Sequence, residues 1–109
     1  SAVSAFVAAL RAGDLEGLVA VLDPDVVVRA DGALAEIRGA RKWAKGAVAF
    51  SRLLGPAEPA LVDGAVGLVI ARGGRLWRAL RFEYAGDKIA RVEIVMDPKR
   101  VAALDVRLL

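Results

Sequence analysis

The chain contains no cysteine and no histidine. Without cysteine it can form neither a disulfide nor a thiolate metal centre, which suits a cytoplasmic location. Without histidine it lacks the commonest metal ligand and the side chain that titrates nearest neutral pH. Acid–base chemistry would fall to carboxylates, lysines or the one tyrosine, and no metal site or cofactor is expected. No apolar run approaches the roughly 18 residues of a membrane helix, so no membrane partner is expected. The opening Ser1-Ala2-Val3-Ser4 has neither the basic start nor the apolar segment of a signal peptide. A net charge of +3 is too modest to mark a nucleic-acid binder. What the chain has in excess is apolar surface, at 57% of residues. Charges interrupt every apolar stretch, so the surplus belongs in a core, a cavity lining or an interface. The 109 residues suit one domain, 1–109, with a sizeable core.

Periodicity predicts the elements. Ala2 to Arg11 is helical, with Val3, Phe6, Val7 and Leu10 on one stripe. Gly13 ends it and Asp14 caps a second helix, Leu15 to Leu22, which Asp23-Pro24-Asp25 breaks. Val26-Val27-Val28 reads as a strand, Asp31-Gly32 as a turn, and Ala33 to Arg38 as a short strand or loop. A third helix spans Ala40 to Leu54, with Trp43, Ala47, Phe50 and Leu54 facing the core, and Gly55-Pro56 stops it. Its basic residues Arg41, Lys45 and Arg52 read as a solvated face, because no stacking aromatics or base-reading motif accompany them.

A meander follows. Leu61-Val62, Val66 to Ala71, Leu76 to Tyr84 and Ile89 to Met96 are strands, separated by Asp63-Gly64, Gly73-Gly74 and Gly86-Asp87. Strict alternation puts Leu76, Arg78, Leu80, Phe82 and Tyr84 on one face, and Trp77, Arg81 and Glu83 on the other. An exposed Trp77 would point to a homodimer or a contact with another domain. At the end, Asp97-Pro98 stops a strand and starts a short helix carrying Val101, Leu104 and Val106. Helices followed by hairpins give an α+β fold, with the helices on one face of a curved, mainly antiparallel sheet.

Several co-linear pieces carry a resemblance. They are the Gly13-Asp14-Leu15-Glu16-Gly17-Leu18 corner, Asp23-Pro24-Asp25-Val26-Val27, Asp31-Gly32, Arg38-Gly39-Ala40, Pro59-Ala60-Leu61-Val62-Asp63-Gly64-Ala65, and the closing Asp97-Pro98. In this order the chain resembles the SnoaL-like domain at the C-terminus of certain extracytoplasmic-function RNA polymerase sigma factors. The resemblance implies a nuclear transport factor 2 (NTF2)-like cone excised from a longer sigma factor. It implies a non-catalytic regulator that contacts the sigma domains of its own chain and RNA polymerase, with no nucleic-acid binding of its own. The docking candidates are Asp31, Gly32, Asp97, Pro98, Lys99 and Arg100. A subgroup of the family carries an Asp-Gly-Gly-Gly-Lys type loop at Asp31-Gly32, where this chain continues Ala33-Leu34-Ala35.

The same superfamily includes polyketide cyclases and ketosteroid isomerases, so an enzyme or a small-ligand sensor is the alternative. Asp31 or Glu36 would be the base, since a carboxylate in an apolar cone has a raised pKa. As a plain structural residue, Asp31 would form a turn and Glu93 would pair with an arginine. Trp43, Phe50, Trp77, Leu80, Phe82, Tyr84 and Glu93 are the candidate cavity lining, or ordinary core. Glu36 or Glu93 could instead accept from a tryptophan N–H. A cone holding a carboxylate at depth favours the enzyme, and one plugged by Trp43, Phe50 and Leu80 favours the regulator. An apolar cavity with no base would suit a small apolar ligand.

Overall fold

A computed structural model describes residues 1–54 and 57–109, with the backbone alone at 53 and 54. Helix α1 (Ala2–Ala12) begins at Ser1, whose hydroxyl accepts from the Ser4 N–H. Gly13 closes it in the left-handed region at φ +67°, with its N–H on the last carbonyls. Asp14 caps α2 (Leu15–Val21) by accepting from the Gly17 N–H at 2.9 Å. The second helix stops one residue earlier than the pattern suggests. Leu22 already has extended backbone and opens strand β1 (Leu22–Ala30). Asp23-Pro24-Asp25 therefore lies inside a strand, where the register shifts between Leu22 and Val27. A bulge absorbs the proline, which cannot donate to a ladder.

Strand β2 is only Ile37–Arg38, and α3 (Ala40–Leu54) has the predicted bounds. The expectations that Leu54 joins the core stripe and that Gly55-Pro56 ends the helix lie outside the described residues. Next come β3 (Ala57–Val62), β4 (Ala65–Arg72), β5 (Arg75–Ala85) and β6 (Lys88–Val95). Helix α4 (Pro98–Ala103) is capped by Asp97, and β7 (Val106–Leu108) closes the chain. Val106 is thus a strand residue paired with Val62, not part of the last helix.

These strands form one curved, unclosed sheet in the order β2-β1-β6-β5-β4-β3-β7, with β1 parallel to β6 and the other pairs antiparallel. The larger core lies where α1, α2 and α3 cover one face, around Phe6, Leu18, Trp43, Leu68, Leu80 and Val92. Helix α4 closes a smaller core on the opposite face, built from Val62, Val69, Ala79, Val95 and Val101 with Leu76, Leu104 and Val106.

Two bulges change which side chains point inward. In the β4–β5 pair, Ile70 faces Arg78 and Ala71 faces Leu76, so Trp77 is the extra residue. The alternation reverses there. Leu76 packs on the smaller core, not with Leu80, and Trp77 packs on the larger core beside Arg78. The face that suggested a homodimer or a domain contact through Trp77 does not carry it. In the β5–β6 pair, Ala90 is skipped between Ile89 and Arg91, which lets Ile89 and Val92 both enter the larger core.

Candidate functional site

The helical layer does not fill the curve of the sheet. A cavity of about 300 Å³ remains between α3, α1 and strands β4 to β6. Trp43, Ala47 and Phe50 line it from α3, Phe6 and Leu10 from α1, Leu68 and Ile70 from β4, and Arg78 and Leu80 from β5. Ile37, Phe50 and Met96 line it too and are exposed, so they form its rim. Phe50 is therefore a rim residue, 51% exposed, and not a core residue. At that end of α3 the space beneath the helix is cavity, where Trp43 has Phe6 stacked at 5.8 Å.

Of the expected lining, Trp43, Phe50 and Leu80 are in place, and they border the cavity instead of plugging it. Phe82 lies behind the wall, 5.4 Å from Phe6. Trp77 meets two guanidinium groups, with Arg78 4.0 Å and Arg72 4.9 Å from its ring centre. Tyr84 is at the far end of β5, where its hydroxyl donates to the Val66 carbonyl. Partial burial there pushes its phenol above the usual range.

No carboxylate lines this cavity among the described residues; its one charged group is Arg78. Arg78 makes no ion pair among the described residues, and its Nε is buried without a hydrogen-bond partner. Sequence reasoning placed Arg78 on the face of Leu80 and Phe82 but gave it no role. The available signal was a lone cation among inward-facing Leu80 and Phe82.

Beside the rim, the β1–β2 turn meets the β6–α4 junction. Asp31 accepts from the backbone N–H groups of Met96 at 2.8 Å and Asp97 at 3.0 Å, and from Arg100 at 3.2 Å. Its side chain is only 11% exposed. These contacts bring the docking candidates Asp31, Gly32, Asp97, Pro98, Lys99 and Arg100 to one end of the cone. Asp31 serves as brace and Asp97 as cap, and Gly32, Asp97, Pro98, Lys99 and Arg100 are exposed. Leu34, which sequence reasoning did not single out, is fully exposed on the same turn.

Glu36 and Glu93 belong to a ladder of ion pairs and accept from no tryptophan among the described residues. Glu36 faces Arg38 at 3.4 Å, Arg91 at 3.5 Å and Arg29 at 3.9 Å. Glu93 faces Arg100 at 3.5 Å and Arg81 at 3.7 Å, and Arg81 also reaches Asp63. With Val92 and Ile94 packed toward the larger core, Glu93 projects from the opposite face. On α3, Arg41 is taken up by a bidentate pair with Glu16 at 2.6 and 2.9 Å. The hydrogen bonds and charge of Arg41 hold the Glu16 carboxyl below the usual range, and those of Glu16 raise Arg41.

No family model and no curated protein matches this sequence. Solved structures do match. The extracytoplasmic function sigma factor SigJ of Mycobacterium tuberculosis aligns with a TM-score of 0.74 and 26% identity over 91% of this chain. The match spans 42% of the SigJ chain, so this chain corresponds to less than half of that protein. An NTF2-like protein of unknown function from Burkholderia xenovorans aligns at TM-score 0.63 and 20% identity, covering 89% of this chain and 81% of that one. An LEH-like epoxide hydrolase from M. tuberculosis aligns at TM-score 0.60 and 21% identity, covering 93% and 84%. The chain folds as an NTF2-like cone, and a sigma factor is among its structural neighbours.

Proposed function

We propose that this chain is a non-catalytic regulatory domain of an extracytoplasmic-function sigma factor, which docks on the sigma domains of its own longer chain and tunes their use of RNA polymerase. The observation that carries the reading is the composition of the cone's mouth. Exposed Ile37, Phe50 and Met96 rim the cavity, and exposed Leu34, Lys99 and Arg100 belong to the two segments that Asp31 ties together. An apolar patch with a charged border is a common form of protein-docking surface. The likeness to SigJ supports the choice of partner.

The cavity is open, not plugged by Trp43, Phe50 and Leu80, so the regulatory reading rests on the mouth alone and not on a filled cone. The enzyme alternative finds less support. A general base has to reach the proton it removes. Three donors surround the Asp31 carboxylate, and Glu36 is held by arginines outside the cavity. Run-off transcription by the full-length sigma factor tests the docking reading. The double variant Leu34→Asp with Lys99→Glu changes only exposed side chains, so it should alter transcript yield severalfold with the fold intact by circular dichroism. An unchanged yield would remove the docking reading.

A further inference from the structure

We propose that the cavity is a binding site for a small amphipathic carboxylate, held by Arg78. The argument starts from an imbalance. A cation in an apolar recess is unfavourable unless an anion accompanies it, and a buried N–H without an acceptor adds to the cost. Arg78 has both problems: it borders a cavity of otherwise apolar and small side chains, and its Nε is buried without a partner. The carboxylates that share a depression with Arg78 do not relieve it. Asp31 and Asp97 border the shallow depression that Arg78 also lines, but Asp31 is spent on Met96, Asp97 and Arg100, and Asp97 caps α4.

Geometry holds the cation where a ligand would need it. The bulge at Trp77 turns that indole to the cavity side of the sheet, and the Arg78 guanidinium stacks on it at 4.0 Å. The indole covers the guanidinium, and since Nε is buried a carboxylate would meet the terminal nitrogens of the fork. One lining cation matches one negative charge, so a monoanionic carboxylate fits better than a dianionic phosphate. The volume of about 300 Å³ equals that of roughly ten water molecules at ~30 Å³ each, which sets a ligand of about ten heavy atoms. The apolar body would lie along Leu68, Ile70, Leu80 and Trp43. This inference does not rest on the docking reading, because it concerns the cavity and its test needs only the purified chain.

Octanoate and octan-1-ol share one hydrocarbon body and differ in the charged head, so calorimetric titration of both is the test. Octanoate should bind at least about tenfold more tightly than octan-1-ol, the scale of a charge-assisted hydrogen bond. Arg78→Gln should weaken octanoate by about the same factor and leave octan-1-ol within about twofold, while Arg78→Lys should recover part of the loss. Equal affinities for the two ligands in the unmodified chain would overturn the proposal. So would an undiminished octanoate affinity in Arg78→Gln, or no octanoate binding at millimolar concentration. The comparison of the two ligands on the unmodified chain decides the matter even if the Gln variant does not fold.

Discussion

At the residue scale, Asp31 and Arg78 are opposites. Asp31 is a nearly buried carboxylate whose oxygens meet two backbone donors and a guanidinium. Asparagine there would lose the charge and could turn an N–H toward another N–H. Asp31→Asn should therefore destabilise the fold by about 2 kcal/mol in urea unfolding, the sum of lost and opposed hydrogen bonds. A stable variant would mean that Asp31 is not the brace. Arg78 is a cation that the fold does not satisfy. Arg78→Leu removes a buried unpaired donor, worth about 1–3 kcal/mol, and forfeits a cation–π contact worth about 0.5–1 kcal/mol. The first effect is larger, so the leucine variant should be more stable than the natural chain by about 1 kcal/mol. A lower midpoint would show that Arg78 supports the fold. The sequence made Asp31 legible as a turn residue, because Asp-Gly has a local signature. It could not show what lies across from the turn, since Met96 and Arg100 are more than sixty positions away.

At the element scale, local chemistry fixed most boundaries. Helix α1 and α3 follow from their apolar stripes, and the hairpins from Asp63-Gly64, Gly73-Gly74 and Gly86-Asp87. What strict alternation could not supply was the pair of skipped residues, Trp77 and Ala90. A bulge answers to the curvature of the whole sheet and to the neighbouring strand, and neither is written in the strand that carries it. One skipped residue moved Leu76 and Trp77 to opposite faces from those expected, and with them the case for a dimer. Strand β7 escaped for a similar reason: three residues are too few for a periodic signal, and only its partner β3 makes them a strand. Between α2 and α3, the Glu16–Arg41 pair offers a pH test. A lowered carboxyl pKa in the folded state contributes stability above the unfolded pKa, near 4.3, and that contribution is lost as pH falls through the folded value. The difference in melting temperature between the natural chain and Glu16→Gln should narrow as pH falls from about 6 to about 3. A difference that does not change with pH would show that the pair contributes no linked stability.

At the scale of the whole molecule, a curved sheet with helices on one face and α4 on the other leaves its cavity open at the Ile37, Phe50 and Met96 rim. There the cavity rim, the braced loops and the exposed apolar side chains converge. Among the described residues, no helix is long and apolar enough to cross a membrane. The docking account assigns this end a partner, and hydrogen–deuterium exchange reads it directly. Amides in residues 31–37 and 96–100 should exchange markedly more slowly in the full-length sigma factor that the account proposes than in this chain alone, with the α2 region unchanged. Equal exchange of both segments in the two proteins would contradict the account.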